Sequence, residues 1–197
     1  MKILIYIQSA EGKINPISLE SLVAAQKLKE EKSAEIYAVT FNASIADELS
    51  QYDVNSIINV NDNSLVNYSP LHYIETFNQL YKKLNPNIII FGHTYETRDW
   101  VPRLSARLDI PFLSDCVGMN INDTITYTRS LYQNKINTDL SVSSNSAIIS
   151  FQSGAYKIDS LNQGSSNVEL VNVDLSSVER FFKMFIALFL SLMFTKI

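Results

Sequence analysis

Short apolar runs alternate with striped segments along the first 110 residues. Residues 2–8 carry the run Ile3-Leu4-Ile5-Tyr6-Ile7, which has the length and branched character of a strand. Asn15-Pro16 follows, an N-cap residue ahead of the proline that suits a first helical position. Leu19, Leu22, Val23 and Gln26 then recur at helical spacing, which predicts an amphipathic helix over 16–30. The same alternation predicts a strand over 35–41, a helix capped by Asn42 with Ile45, Ala46 and Leu49 inward, and a strand over 56–60. Ser69-Pro70 repeats the cap-and-proline device before the stripe Ile74, Phe77, Leu80, Tyr81 and Leu84. Residues 87–92 hold Ile88-Ile89-Ile90-Phe91, apolar on both faces as a strand covered on two sides should be. A helix over roughly 99–108 completes the series, with Trp100, Val101, Leu104 and Leu108 inward and Pro102 expected in its first turn.

Strand–helix units in succession predict an α/β fold with a doubly wound, mostly parallel sheet in three layers. Ligands of such sheets lie outside the carboxyl ends of the strands, here the loops after Gln8, Phe41, Val60 and Gly92. Beyond residue 112 the pattern becomes period-two, in "TITYTRSLYQNKINTDLSV" and "SAIISFQSGAY". This predicts two or three added antiparallel strands at one edge.

Composition narrows the chemistry. The 197 residues are 46% hydrophobic and 18% charged, enough apolar content for a packed core. A net charge of −4 leaves no basic footprint for nucleic acid. One cysteine, Cys116, and two histidines exclude a disulfide framework and a zinc site of the usual spacing. No secretory signal is evident at the start, and a cytoplasmic location is the simplest expectation. The five glycines, Gly12, Gly92, Gly118, Gly154 and Gly164, are too far apart for a dinucleotide fingerprint or a P-loop. Ser9, Gly12 and Lys13 offer a weak phosphate loop before the first helix, against the plainer reading of a polar connection.

His93 has the best placement for chemistry, just after a strand and beside Thr94, Tyr95, Glu96, Arg98 and Asp99. Histidine with a nearby carboxylate can do acid–base work. No nucleophile accompanies it in the sequence, and the same residues suit a helix start, with Asp99 near the N-cap. No catalytic or metal residue is therefore assigned. Arg103 and Arg107 share a face opposite the core, with Asp99 placed to pair with Arg103. With Arg98 they form either a solvated face or an interface for an acidic partner. His72 reads as a solvated or capping residue in a first helical turn, and Cys116 as a buried, inert thiol.

The order of residues from 92 to 118, "GHTYETRDWVPRLSARLDIPFLSDCVG", resembles the N-terminal-domain signature of the electron transfer flavoprotein alpha subunit. The similarity rests on Gly92, Thr94, Arg98-Asp99, Pro102-Arg103-Leu104-Ser105-Ala106-Arg107-Leu108 and Ser114-Asp115. It continues through Tyr127, Arg129, Leu131-Tyr132 and Asn134 and through "IISFQSGAY", and spans residues 1–180 in order. The resemblance implies an electron carrier rather than an enzyme, a heterodimer with a beta subunit, and FAD as the redox group. It implies electrons taken from dehydrogenases and passed to a quinone reductase or other acceptor, and leaves open whether fatty-acid beta-oxidation, nitrogen fixation or electron bifurcation is served. In that family a second alpha domain holds most of the FAD, so no cofactor-binding residue is carried over to this chain.

The expected boundaries are an N-terminal domain over 1–175 and an aberrant hydrophobic tail over 176–197. The run "FFKMFIALFLSLMFTKI", 181–197, stands where the FAD domain is expected. It is apolar all round, yet shorter than a membrane span and interrupted by Lys183. The expectation is therefore a truncated alpha subunit that binds no FAD alone and meets a membrane only through 181–197, if at all. The alternative is a stand-alone nucleotide-binding or regulatory module tethered by that tail.

Overall fold

The computed structural model describes residues 1–178 and residue 186. The expected tail lies almost wholly outside the described residues. Among the described residues no helix is long and apolar enough to cross a membrane.

The chain runs through β1 (Lys2–Tyr6), a small hairpin of β2 (Ser9–Ala10) and β3 (Lys13–Ile14), α1 (Pro16–Lys32), β4 (Glu35–Thr40), α2 (Ala43–Leu49) and β5 (Ser56–Val60). It continues through α3 (Pro70–Leu84), β6 (Ile88–Gly92), α4 (Tyr95–Leu108), β7 (Phe112–Ile121), β8 (Ile125–Leu131), β9 (Ile136–Ser141), β10 (Ala147–Phe151) and β11 (Val168–Val171). Among the described residues the main sheet has nine strands in the order β11-β5-β4-β1-β6-β10-β7-β8-β9. Pairing is parallel from β11 to β7 and antiparallel across β7–β8–β9. The doubly wound α/β expectation holds, with its antiparallel edge.

Period-two burial builds two cores. Ile3 and Ile5 of β1 and Ile90 of β6 join Leu22, Leu28, Ile45 and Leu49 of α1 and α2. Leu4 and Tyr6, with Ile89 and Phe91, join Phe77, Leu80, Trp100 and Leu104 of α3 and α4. Each fully buried Ile or Leu is worth about 1.5–3 kcal/mol, so these strand centres outweigh any single surface interaction.

β10 departs from the expected edge placement. It lies between β6 and β7, parallel to both, and all five of its residues are buried. Its sequence, Ala-Ile-Ile-Ser-Phe, has no polar face for water, which suits the middle of the sheet rather than its rim. The segment after it returns over α1. Gly154 donates its N–H to Glu20, and Asn162 exchanges hydrogen bonds with Gln26. This cover explains why α1 is buried over more than its apolar stripe.

Caps also follow the sequence, with two exceptions. Asn15 and Asn42 cap α1 and α2. Ser69 occupies the N-cap of α3 without capping it, because its hydroxyl bonds His72 Nδ1 at 2.6 Å. His72 is thereby buried rather than solvated. α4 begins four residues earlier than expected: Thr94 accepts from Thr97 N–H, and Thr97 Oγ1 accepts from Thr94 N–H. This reciprocal capping box fixes the start. Asp99 is therefore not a cap, and Pro102 lies inside the helix. Pro102 is exposed, so the carbonyl it leaves without an N–H partner faces the side that water can serve.

Candidate functional site

Two crevices lie over the carboxyl ends of the strands. The first, about 390 Å³, is lined by Tyr6, Phe41, Tyr68, Tyr73 and Glu96 over β1 and β4. Its floor is an aromatic cluster: Phe41 and Tyr73 ring centres lie 4.7 Å apart, and Tyr6 stands 5.4 Å from Phe41. Tyr6 donates its hydroxyl to Glu96 Oε1 at 3.2 Å and Tyr68 donates to Asp99 Oδ2 at 2.5 Å. Burial pushes the Glu96 carboxyl up, against the opposing pull of hydrogen bonds from Tyr6 and Gln8.

The second crevice, about 940 Å³, opens over β6, β10 and β7, between the N-termini of α1 and α4. β1 and β6 are neighbours whose following helices cover opposite faces of the sheet, which makes this a topological switch point. Its polar wall is formed by His93, Arg98, Asp115 and Arg129. Asp115 reaches it through a bulge in β7, where the register shifts against β10 and Asp115 takes φ 61. Bulges re-aim side chains in this way.

One connected set holds His93. Asp115 donates its backbone N–H to Ser150 Oγ at 3.1 Å. Ser150 Oγ also lies 2.9 Å from His93 Nδ1. On the other side of the ring, His93 Nε2 lies 3.7 Å from Asp115 Oδ1. Burial lowers the His93 pKa; the Asp115 charge opposes this, and Arg98 and Arg129 reinforce it.

Serine, histidine and aspartate thus meet, with the ring reversed relative to a hydrolase triad: serine stands at Nδ1 and aspartate at Nε2. Two features deny that chemistry. Ser150 is 1% exposed, so no substrate carbonyl reaches its oxygen, and that oxygen already serves Asp115 N–H. The set orients an imidazole; it does not activate a nucleophile. In the sequence Asp115 and Arg129 stand out only through the resemblance, and Ser150 only as part of the run "IISFQSGAY", 57 positions from His93.

The arginines divide. Arg103 pairs with Asp99 at 2.5 Å and Arg107 with Glu75 at 3.1 Å, both on exposed faces where such pairs are worth under about 1 kcal/mol. Arg98 lines the crevice instead, its guanidinium 5.5 Å from the ring of Tyr95. Cys116 is buried and burial raises its thiol to about 12. The segment from Ser9 to Ile14 is a hairpin with Glu11 and Gly12 at φ 53 and 75, the left-handed pair that a two-residue turn requires. Gly12 is spent on that turn, and Lys13 is exposed. Among the described residues no three His, Cys, Asp or Glu side chains group as metal ligands.

The first crevice does not fit FAD, and the second lacks the glycine turn of a dinucleotide fingerprint. A dinucleotide needs backbone N–H groups laid open by glycine against its pyrophosphate. Gly92, the glycine at the end of β6, is covered by protein: a Cβ there would stand 2.8 Å from Ile17 Cγ2. Glu96 and Asp99 place carboxylates beside the first crevice, where they would repel phosphate.

The sequence model of the electron transfer flavoprotein domain matches residues 3–177. The electron transfer flavoprotein subunit alpha of Syntrophomonas wolfei is 25% identical over 132 residues, covering 66% of this chain and 41% of the relative. That of Thermoanaerobacterium thermosaccharolyticum is 27% identical over 122 residues, covering 60% and 37%. That of Bacillus subtilis is 25% identical over 138 residues, covering 68% and 42%. The chain spans about two fifths of the length of these relatives. With its parallel sheet, its antiparallel extension and its Gly92-to-Asp115 segment in place, the chain belongs to the electron transfer flavoprotein family, as an alpha-type N-terminal domain.

Proposed function

We propose that this chain supplies the partner-binding half of an alpha-type subunit, and that in complex with a beta subunit it serves an electron carrier rather than an enzyme. The carrier would take electrons from dehydrogenases on FAD and deliver them to a quinone reductase or another acceptor. The observation that carries the reading is the family match over 3–177, which takes in all but Lys2 of the main-sheet strands among the described residues. The names of the relatives, subunits of electron transfer flavoproteins, support a heterodimer. The poor fit of the first crevice to FAD and the covered Gly92 beside the second support a domain that scaffolds while the flavin contacts are made elsewhere. Flavin chemistry is the cofactor's own; the part of this chain is to position surfaces.

Co-expression with a family beta subunit tests this, with a tag on one partner only. The beta subunit is expected to co-elute at a one-to-one ratio, and the chain purified alone is expected to lack flavin absorbance. Absence of co-elution refutes the partner claim, and stoichiometric FAD on the isolated chain refutes the scaffold claim. The alternative of a stand-alone nucleotide-binding module finds no support in the aromatic, carboxylate-edged crevice over β1.

A further inference from the structure

The crevice between α1 and α4 holds more positive charge than its neighbours neutralise. Arg98 and Arg129 both line it, with a single carboxylate, Asp115, on the same wall. Neither arginine has an ion pair among the described residues, whereas Arg103 and Arg107 on the same helix as Arg98 both do. Arg129 Nε is buried without a hydrogen-bond partner among the described residues, an uncommon state for a charged donor. The start of α4 adds backbone donors. Thr94 and Thr97 satisfy each other, while Tyr95 and Glu96 occupy the first two helical positions, whose N–H groups have no intrahelical acceptor. Donors at a helix start favour negative charge. Here they open beside two guanidinium groups.

The geometry points to a small-oxyanion site in this crevice: the phosphate or carboxylate group of a small molecule, held by Arg98, Arg129 and the first turn of α4. An anion there balances the guanidinium charge that Asp115 alone leaves unmatched. Asp115 limits how much charge the site accepts and, through its Nε2 contact, keeps the His93 imidazole turned to the same wall. The volume, about 940 Å³, exceeds what a bare ion fills and lies in the range of small-molecule pockets. Pro16, Pro102 and Phe112 give it apolar walls for the rest of such a ligand. The site is independent of the flavin reading.

Titration of the full chain, followed by ¹H–¹⁵N amide shifts at constant ionic strength, tests this with inorganic phosphate and with acetate as separate probes. At least one probe is expected to give saturable shifts centred on His93, Tyr95, Glu96 and Asp115. Saturation with phosphate alone assigns a phosphate ligand, and saturation with acetate alone a carboxylate. Arg98→Gln, exposed and thus safe for folding, is expected to weaken the interaction about tenfold, the usual worth of a charged hydrogen bond. Lys13→Gln, which removes an exposed cation outside the crevice, is expected to leave it unchanged. Two results overturn the site. One is no saturable shift with either probe up to ~10 mM, weaker than any useful millimolar affinity. The other is binding that Arg98→Gln and Lys13→Gln affect equally, which marks general screening rather than a site.

Discussion

Replacing Gly92 by Ala tests the packing of the switch point directly. The backbone of Gly92 lies outside the left-handed region, so alanine meets no conformational penalty there. Its cost is contact. The new Cβ would stand 2.8 Å from Ile17 Cγ2, 3.2 Å from Cγ1 and 3.3 Å from the Ile17 carbonyl carbon. Carbon atoms rest at about 3.5–4.0 Å, so the first contact is short by about 0.7 Å. Ile17 opens α1 and is buried, and its carbonyl carbon cannot rotate away as a side-chain end can. Overpacking of this kind costs about 1–3 kcal/mol. Loss of glycine's freedom in the unfolded chain returns about 0.4–1 kcal/mol. A net loss of about 1–2 kcal/mol is expected, read as a lower urea midpoint with an unchanged slope. Ile17→Ala removes both γ carbons, and in that background Gly92→Ala should cost less, only the 3.3 Å contact with the Ile17 carbonyl carbon remaining. A Gly92→Ala protein as stable as the parent refutes the reasoning. So does an equal loss in both backgrounds, because the cycle would then show no coupling.

Burial raises the Glu96 pKa above that of the unfolded chain, so stability should fall as pH rises from the unfolded value through the folded one. Glu96→Gln, which keeps an acceptor for Tyr6, should be more stable than the parent at pH 7, with the difference vanishing below about pH 4; a less stable variant at pH 7 contradicts this. For His93 the pKa is lowered, and its stabilising contribution should be lost as pH drops from about 6.5 through the folded value. NMR titration should find His93 below the ordinary histidine range, lower still in Asp115→Asn and higher in Arg98→Gln; an opposite order refutes the assigned charges. Cys116, with its thiol raised to about 12, should resist a thiol reagent at pH 8 in the native protein and react at once in denaturant. Equal rates in both states would show the thiol to be accessible.

The parallel half of the fold was legible because its signals are local. Apolar runs of four or five residues, capped helices and turn residues follow one another within a few positions. The start of α4 escaped because Thr94 and Thr97 form a capping box in which threonine replaces the usual acidic partner. β10 escaped because its neighbours, β6 and β7, lie tens of residues earlier, and strand order is set by pairing rather than by period. The candidate site was half legible: His93 and Arg98 stand after a strand end, where the fold places ligands. Ser150 and Arg129 come from β10 and β8, and only the folded sheet brings them beside His93.

The late arrival of β10 also governs the order in which the protein can be made. Residues 88–92 and 112–121 form successive strands in sequence, yet the sheet keeps a slot between them for residues 147–151. Until those five residues leave the ribosome, β6 presents an open edge and the β7–β8–β9 hairpins have no parallel strand to join. The far edge waits longer, since β11 pairs with β5 more than a hundred residues after it. Parallel pairings over such separations form slowly and expose strand edges meanwhile. A nascent chain paused before residue 147 would thus hold two unpaired apolar edges. Synthesis speed over that stretch should therefore bear on how much of the chain folds.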